Sequence, residues 1–80
     1  MNFWYVYILE ANSGEHFYTG ITEDLRGRLK THNAGEVPHT AKHRPWRIKT
    51  AVAFTDKPRA IDFELYLKTS SGRAFAKKRL

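Results

Sequence analysis

The sequence predicts an α+β fold, with strands at both ends of its first fifty residues and helices between and after them, in a single domain over residues 1–80. Three observations carry that reading. The runs Trp4–Leu9 and Phe17–Ile21 are rich in aromatic and β-branched residues, and Asn12-Ser13-Gly14 between them has turn chemistry, so the pair reads as a β-hairpin. Residues 23–33 and 58–68 repeat apolar side chains at helical spacing. Eighty residues are enough for one small core and too few for a second.

In the hairpin, Tyr7 and Tyr18 are expected on neighbouring strands. Aromatic residues there suit the core of a pleated, half-buried surface. Thr22, Glu23 and Asp24 then offer an N-cap and acidic charge for a first turn, and Gly35 supplies a stop, so residues 23–33 read as a helix. At about 100° per residue, Leu25, Leu29 and His32 share a stripe roughly 60° wide with Arg28 beside it. A guanidinium and an imidazole thus border the core. They serve either as an aliphatic stem and a His satisfied by a backbone carbonyl, or as the lip of a phosphate-binding cleft.

Residues 34–45 hold Gly35, Pro38 and Pro45 and read as a loop without regular structure. Its His39 and His43 lack a third ligand at useful spacing for a metal. Trp46–Phe54, with Ile48 and Val52, reads as a third strand. Asp56, Lys57 and Pro58 open a helix over residues 58–68. Around Ala60, Phe63 and Leu67 fall on one side, Ile61 and Leu65 on the other, and Glu64 lies between them, about 40° from Ala60. A carboxylate in an apolar face needs a cation, a hydrogen-bond network or a proton. A salt bridge to Lys68 or Arg28 meets that need, and so does a divalent metal in a cleft. After Ser70-Ser71-Gly72, residues 73–80 read as a short terminal helix packed by Ala74, Phe75 and Leu80.

Fourteen Lys and Arg against eight Asp and Glu give a formal charge of +6. Such an excess favours solubility, and it also fits a polyanionic partner, most simply nucleic acid. The cations cluster as Lys42, Arg44, Arg47 and Lys49, and again as Arg73, Lys77, Lys78 and Arg79. No cysteine is present, which excludes disulfides, thiolate nucleophiles and thiolate metal sites. With no signal-peptide pattern and no apolar run of membrane-spanning length, a cytoplasmic location without membrane association is expected.

Tyr5-Val6-Tyr7 and Tyr18-Thr19-Gly20 resemble the two motifs of the GIY-YIG nuclease family. The likeness continues through Arg28-Leu29-Lys30-Thr31-His32-Asn33 and Gly35, which is similar to the Arg-x-x-x-His-Asn segment of the family's first helix. Thr40 with Arg44-Pro45-Trp46 resembles the loop entering the third strand, and Ala60-x-x-Phe63-Glu64 resembles the metal-binding helix. Five separated motifs in matching order cover almost the whole chain, and the likeness is strongest to small single-domain, UPF0213-like bacterial members and to the catalytic domain of structure-specific junction endonucleases.

The resemblance implies a small three-stranded antiparallel sheet flanked by helices and metal-dependent hydrolysis of DNA phosphodiesters. Glu64 would hold one Mg²⁺ or Mn²⁺, Arg28 would neutralise the phosphate, and Tyr7 and Tyr18 would orient or deprotonate the attacking water, with His32 sharing that role. A tyrosine base would need a nearby cation to lower its pKa. Lys42, Arg44, Arg47, Lys68 and Arg73 would hold DNA through its backbone, implying structured, flap or damaged DNA rather than a defined sequence, in repair or recombination, with a protein partner supplying target choice. The chain departs from the family pattern in two respects. Ile21 and Thr22 stand where several members carry a lysine, and no Asn follows Glu64. The alternative from another class is a nucleic-acid-binding module that keeps the scaffold with weak or no catalysis.

Overall fold

A computed structural model of the protein describes residues 2–80. Strands β1 (Trp4–Ala11) and β2 (Phe17–Thr22) form the hairpin, and β3 (Trp46–Phe54) completes an antiparallel sheet of order β2-β1-β3. The first strand is therefore central, and it is the most continuously buried element of the chain. Gly14, at φ 78°, supplies the left-handed residue that turns the hairpin.

Among the described residues four helices follow or interrupt the strands: α1 (Leu25–Asn33), α2 (Pro38–Ala41), α3 (Lys57–Leu67) and α4 (Ser70–Arg79). Asp24 caps α1 by accepting from the Gly27 N–H at 3.0 Å, an interaction worth about 1 kcal/mol. Gly35, at φ 80°, ends it, with its N–H donating to the His32 carbonyl. Asp56 caps α3 in the same manner through the Arg59 N–H.

Strand alternation divides the core in two. On one face Val6 and Ile8 pack with Ala60 and Leu67 of α3, joined by Phe54, Phe63, Ala76 and Leu80. On the other, Tyr7, Leu9, Ala11 and Trp46 pack with Tyr18, Leu25, Leu29 and Ile48 beneath α1. Two bonds clasp α1 to the start of β3. Asn33 Nδ2 donates to the Trp46 carbonyl at 3.0 Å, and the Trp46 N–H donates to Asn33 Oδ1 at 2.6 Å.

Three local expectations change. Residues 34–45 contain the one-turn helix α2, because Pro38 sits at its first position after the extended Val37, where a missing N–H is harmless. Its Thr40 is buried, and the Thr40 carbonyl accepts from Trp46 Nε1 at 2.8 Å. The last helix begins at Ser70 rather than Arg73, since Thr69 Oγ1 caps it by accepting from the Gly72 N–H at 3.0 Å. A Cβ on Gly72 would collide with the Tyr66 carbonyl, so glycine permits the close approach of α4 to α3. Finally, Ile61 and Leu65 are 40% and 56% exposed. The buried stripe of α3 runs through Ala60, Phe63 and Leu67 instead, and leaves those two on its open flank.

Candidate active site

Tyr7 sits at the middle of the central strand, opposite Gly20 of β2. Its ring lies across that glycine, and a Cβ at position 20 would collide with the phenol. Tyr18 pairs with Leu9, one diagonal step away, which puts its ring centroid 6.4 Å from that of Tyr7 and 4.9 Å from the His32 imidazole. The two tyrosines thus share a face of neighbouring strands.

Helix α1 places Arg28 and His32, one turn apart, against this pair. Arg28 Nε donates to Tyr7 Oη at 3.4 Å, Tyr7 Oη lies 3.1 Å from His32 Nε2, and His32 Nδ1 lies 2.8 Å from Thr40 Oγ1. The Thr40 hydroxyl donates to the Val37 carbonyl at 3.3 Å. A hydroxyl has one proton, so Thr40 must accept from His32, and the network assigns the neutral imidazole proton to Nδ1. Nε2 is then a bare lone pair that accepts from the phenol. The chain of bonds has one direction, from guanidinium to phenol to imidazole on one side and from imidazole to threonine to carbonyl on the other.

Burial sets the protonation of its members. His32 is fully buried, and burial, helped by the Arg28 charge, lowers its pKa and keeps it neutral near pH 7. It lies inside the core rather than at the border of the stripe, and its partners are two side chains rather than a backbone carbonyl. Burial also raises the pKa of Tyr7; the Arg28 hydrogen bond opposes this and is outweighed, while the Tyr18 and Glu64 charges push further upward. The structure therefore supplies the cation that a tyrosine base would need beside the phenol, but desolvation is the larger effect and the phenol pKa stays raised.

Glu64 projects from the buried side of α3 with its side chain 12% exposed. Lys68 Nζ lies 2.7 Å from its Oε2, so of the two cations considered for it, Lys68 one turn on takes the contact, while Arg28 turns to Tyr7. Among the described residues no three His, Cys, Asp or Glu side chains converge as a metal cage. One hard carboxylate fits a Mg²⁺- or Mn²⁺-type ion that takes most of its shell from water and phosphate oxygens. His43 stacks on His16 at a centroid distance of 3.6 Å.

Residues 3–79 match the family model of the GIY-YIG catalytic domain. The chain belongs to the GIY-YIG family. A UPF0213 protein of Cupriavidus pinatubonensis is 41% identical over 69 residues, covering 85% of this chain and 76% of the relative, and one from Lacticaseibacillus paracasei is 39% identical over 66 residues, covering 81% and 73%. The solution NMR structure of a UPF0213 protein from Bacillus halodurans superposes with a TM-score of 0.56 at 37% identity, covering 96% of this chain and 81% of that one. The fold and the nuclease-family membership implied by the sequence motifs are thereby shown.

Within the GIY-YIG domain the predicted cations do not form one surface. Lys68 and Arg73 line a groove together with Lys49 and Lys77. Arg47 instead pairs with Glu10 at 3.0 Å and donates to Asn12 Oδ1 at 3.2 Å, tying β3 to the hairpin turn. Lys42 and Arg44 are exposed on the segment after α2, and Arg44 packs over Gly35. Among the described residues no helix is long and apolar enough to cross a membrane.

Two members of the site, Thr40 and Gly20, stand within the family-like motifs of the sequence, but their contacts with His32 and Tyr7 are not legible there. Thr40 joins it only because α2 exists. The place of Gly20 follows from its register opposite Tyr7, which the Tyr-x-Gly spacing could have suggested once the hairpin was paired.

Proposed function

We propose that this GIY-YIG domain hydrolyses DNA phosphodiesters by water attack at a single divalent cation held by Glu64. The observation that carries the reading is the one-directional chain Arg28–Tyr7–His32–Thr40, in which a buried phenol, imidazole and hydroxyl can take up a proton next to an exposed guanidinium. Hydrolysis must remove a proton from the attacking water and neutralise charge on the phosphate.

Tyr7 Oη accepts the proton of the water while its own O–H proton passes to His32 Nε2, so no phenolate accumulates despite the raised phenol pKa. The imidazole is the group that takes the proton and gains charge, and because burial and the Arg28 charge lower its pKa it holds that proton only transiently. Thr40 holds Nδ1–H and with it the tautomer that leaves Nε2 free to accept. Arg28 contacts Tyr7 through Nε, which leaves its two terminal nitrogens for the phosphate oxygens. Tyr18 flanks the same site and orients the water. A bound Mg²⁺ or Mn²⁺ supplies further positive charge at the phosphate.

Branched, flap or damaged DNA suits a small domain whose exposed cations meet backbone phosphates, and a repair or recombination role in the cytoplasm, with a partner choosing the target, accords with that chemistry. The Lys68–Glu64 contact favours a second reading, a binding module whose carboxylate is occupied by its own lysine. End-labelled single-stranded, duplex, flap and branched DNA incubated with Mg²⁺, Mn²⁺ or EDTA separates the two. Cleavage that needs metal and is lost in a folded Glu64→Gln variant supports the nuclease. Salt-sensitive binding with no cleavage, equal in both proteins, supports the binding module.

A further inference from the structure

The described structure has an open groove of about 800 Å³ on the sheet face away from α1, where the hairpin end of the sheet is left uncovered by α3 and α4. Its floor is apolar, built from Ile8, Leu67 and Ala76. Four cations, Lys49, Lys68, Arg73 and Lys77, line it, and no carboxylate does. Phe17, the first residue of β2, stands at its wall 54% exposed. An aromatic ring left this open on an edge strand lacks a partner within the fold, and a surface that joins it to an all-positive rim has a specific complement.

We infer that this groove seats a single-stranded DNA segment, with an unpaired base stacked on Phe17 and the flanking phosphates held by Lys49, Arg73 and Lys77. Stacking platforms interleaved with cations are how proteins hold unpaired nucleic acid without reading its sequence, because every base has a π-face. A paired base in a duplex cannot offer that face to Phe17. An apolar peptide would leave the charges of Lys49, Arg73 and Lys77 unmatched.

The groove adjoins the candidate catalytic residues at two points. Tyr18 contributes to its wall while its ring approaches His32, and Lys68 both lines it and contacts Glu64. A strand lying along the groove is thereby led to the carboxylate. This assignment deepens the nuclease reading and rests on it for its biological meaning, since flaps and branch points expose unpaired strand beside duplex. The binding itself does not require catalysis.

The test is fluorescence anisotropy in EDTA, where no metal-dependent cleavage intervenes, with a labelled oligothymidylate and a blunt duplex of equal length. The wild-type protein is expected to bind the single strand more tightly. Phe17→Ala should weaken that binding roughly tenfold or more and leave the duplex unaffected, and Phe17→Trp should restore it. Removing Lys49 and Lys77 together should flatten the dependence of log affinity on log salt by about 1.4, near 0.7 for each lost phosphate contact. An abasic strand of the same length should bind wild type as weakly as the full strand binds Phe17→Ala, a comparison that needs no variant to fold. Equal binding of abasic and base-containing strands, or unchanged affinity in a folded Phe17→Ala protein, overturns the assignment and leaves the surface to a protein partner. Failure of Glu64→Gln to abolish cleavage would strike the catalytic reading alone and leave these binding results standing.

Discussion

Tyr7 and His32, 25 positions apart in the chain, meet in the core with the phenol oxygen 3.1 Å from Nε2, and the proton on that bond belongs to the phenol because Thr40 takes the one on Nδ1. Removing the hydroxyl by Tyr7→Phe interrupts the path from water to imidazole and leaves a buried Nε2 without its partner. The expected outcome is a cleavage rate lowered by about 10²–10⁴ and a stability loss of about 1–3 kcal/mol, with DNA affinity little changed. Single-turnover rates, denaturant unfolding and anisotropy on the same preparations check the three parts separately. A rate close to wild type would eliminate Tyr7 from proton transfer.

The same bond makes a prediction about pH. His32 has a folded pKa below its unfolded value of about 6.5, because burial and then the Arg28 charge disfavour the imidazolium. Between those two values the unfolded chain holds a proton that the native chain does not, so the stabilising contribution is complete above about pH 6.5 and is lost as pH falls through the folded value. Wild-type stability should therefore decline on acidification more steeply than that of His32→Gln, measured by denaturant midpoints from pH 7.5 down to pH 5. Cleavage should share the acid limb, and should show no dependence on a rise near the phenol range if His32 is the proton acceptor. A rate that climbs only above about pH 10 would instead mark a free phenolate as the base.

The strands and the principal helices are legible in the sequence because aromatic and β-branched runs, caps and apolar spacing are local signals. The hairpin is read from Trp4–Leu9 and Phe17–Ile21, and its strands differ from that reading only at their ends. What escapes is tertiary. A helical wheel gives the angle of Glu64 relative to Ala60 but cannot say which flank meets the sheet, so Ile61 and Leu65 look buried until α3 is docked. The helix α2 is one turn long, too short for periodicity to register, and with it goes the place of Thr40. The burial of His32 depends on partners from β1 and α2, neither of them within its own helix. Lys49 and Lys77, 28 positions apart, share a groove only through the packing of α4 beside the sheet.

Gly20 is fixed by the Tyr7 ring rather than by its own backbone, since its φ lies outside the positive region. Gly20→Ala must push the phenol away from Nε2 or part β1 from β2, and overpacking of this kind costs about 1–3 kcal/mol. The variant should unfold at lower denaturant and cleave more slowly than its stability loss explains. Pairing it with Tyr7→Phe separates the effects. If the glycine acts by placing the phenol, the double variant cleaves no more slowly than Tyr7→Phe alone, because residues in one network do not add. Additive losses in rate would assign Gly20 a role apart from Tyr7.

Lys68 and a divalent cation compete for the same carboxylate. The ammonium lies 2.7 Å from Glu64 Oε2, and a cation that binds there must share or displace that contact. Replacing Lys68 by Met keeps much of the apolar stem and removes the charge, so Glu64 loses its intramolecular partner and gains attraction for an ion. Mn²⁺ titration followed by electron paramagnetic resonance, without DNA, should show tighter binding in Lys68→Met than in wild type and none at this site in Glu64→Gln. DNA affinity should move the other way, since the same lysine lines the cationic groove. Opposite shifts in metal and DNA affinity from one substitution would identify Lys68 as a residue that trades between the two ligands, releasing Glu64 when a phosphate arrives to take the ammonium. Parallel shifts, or unchanged Mn²⁺ binding, would reduce the pair to a helix salt bridge of the ordinary i,i+4 kind.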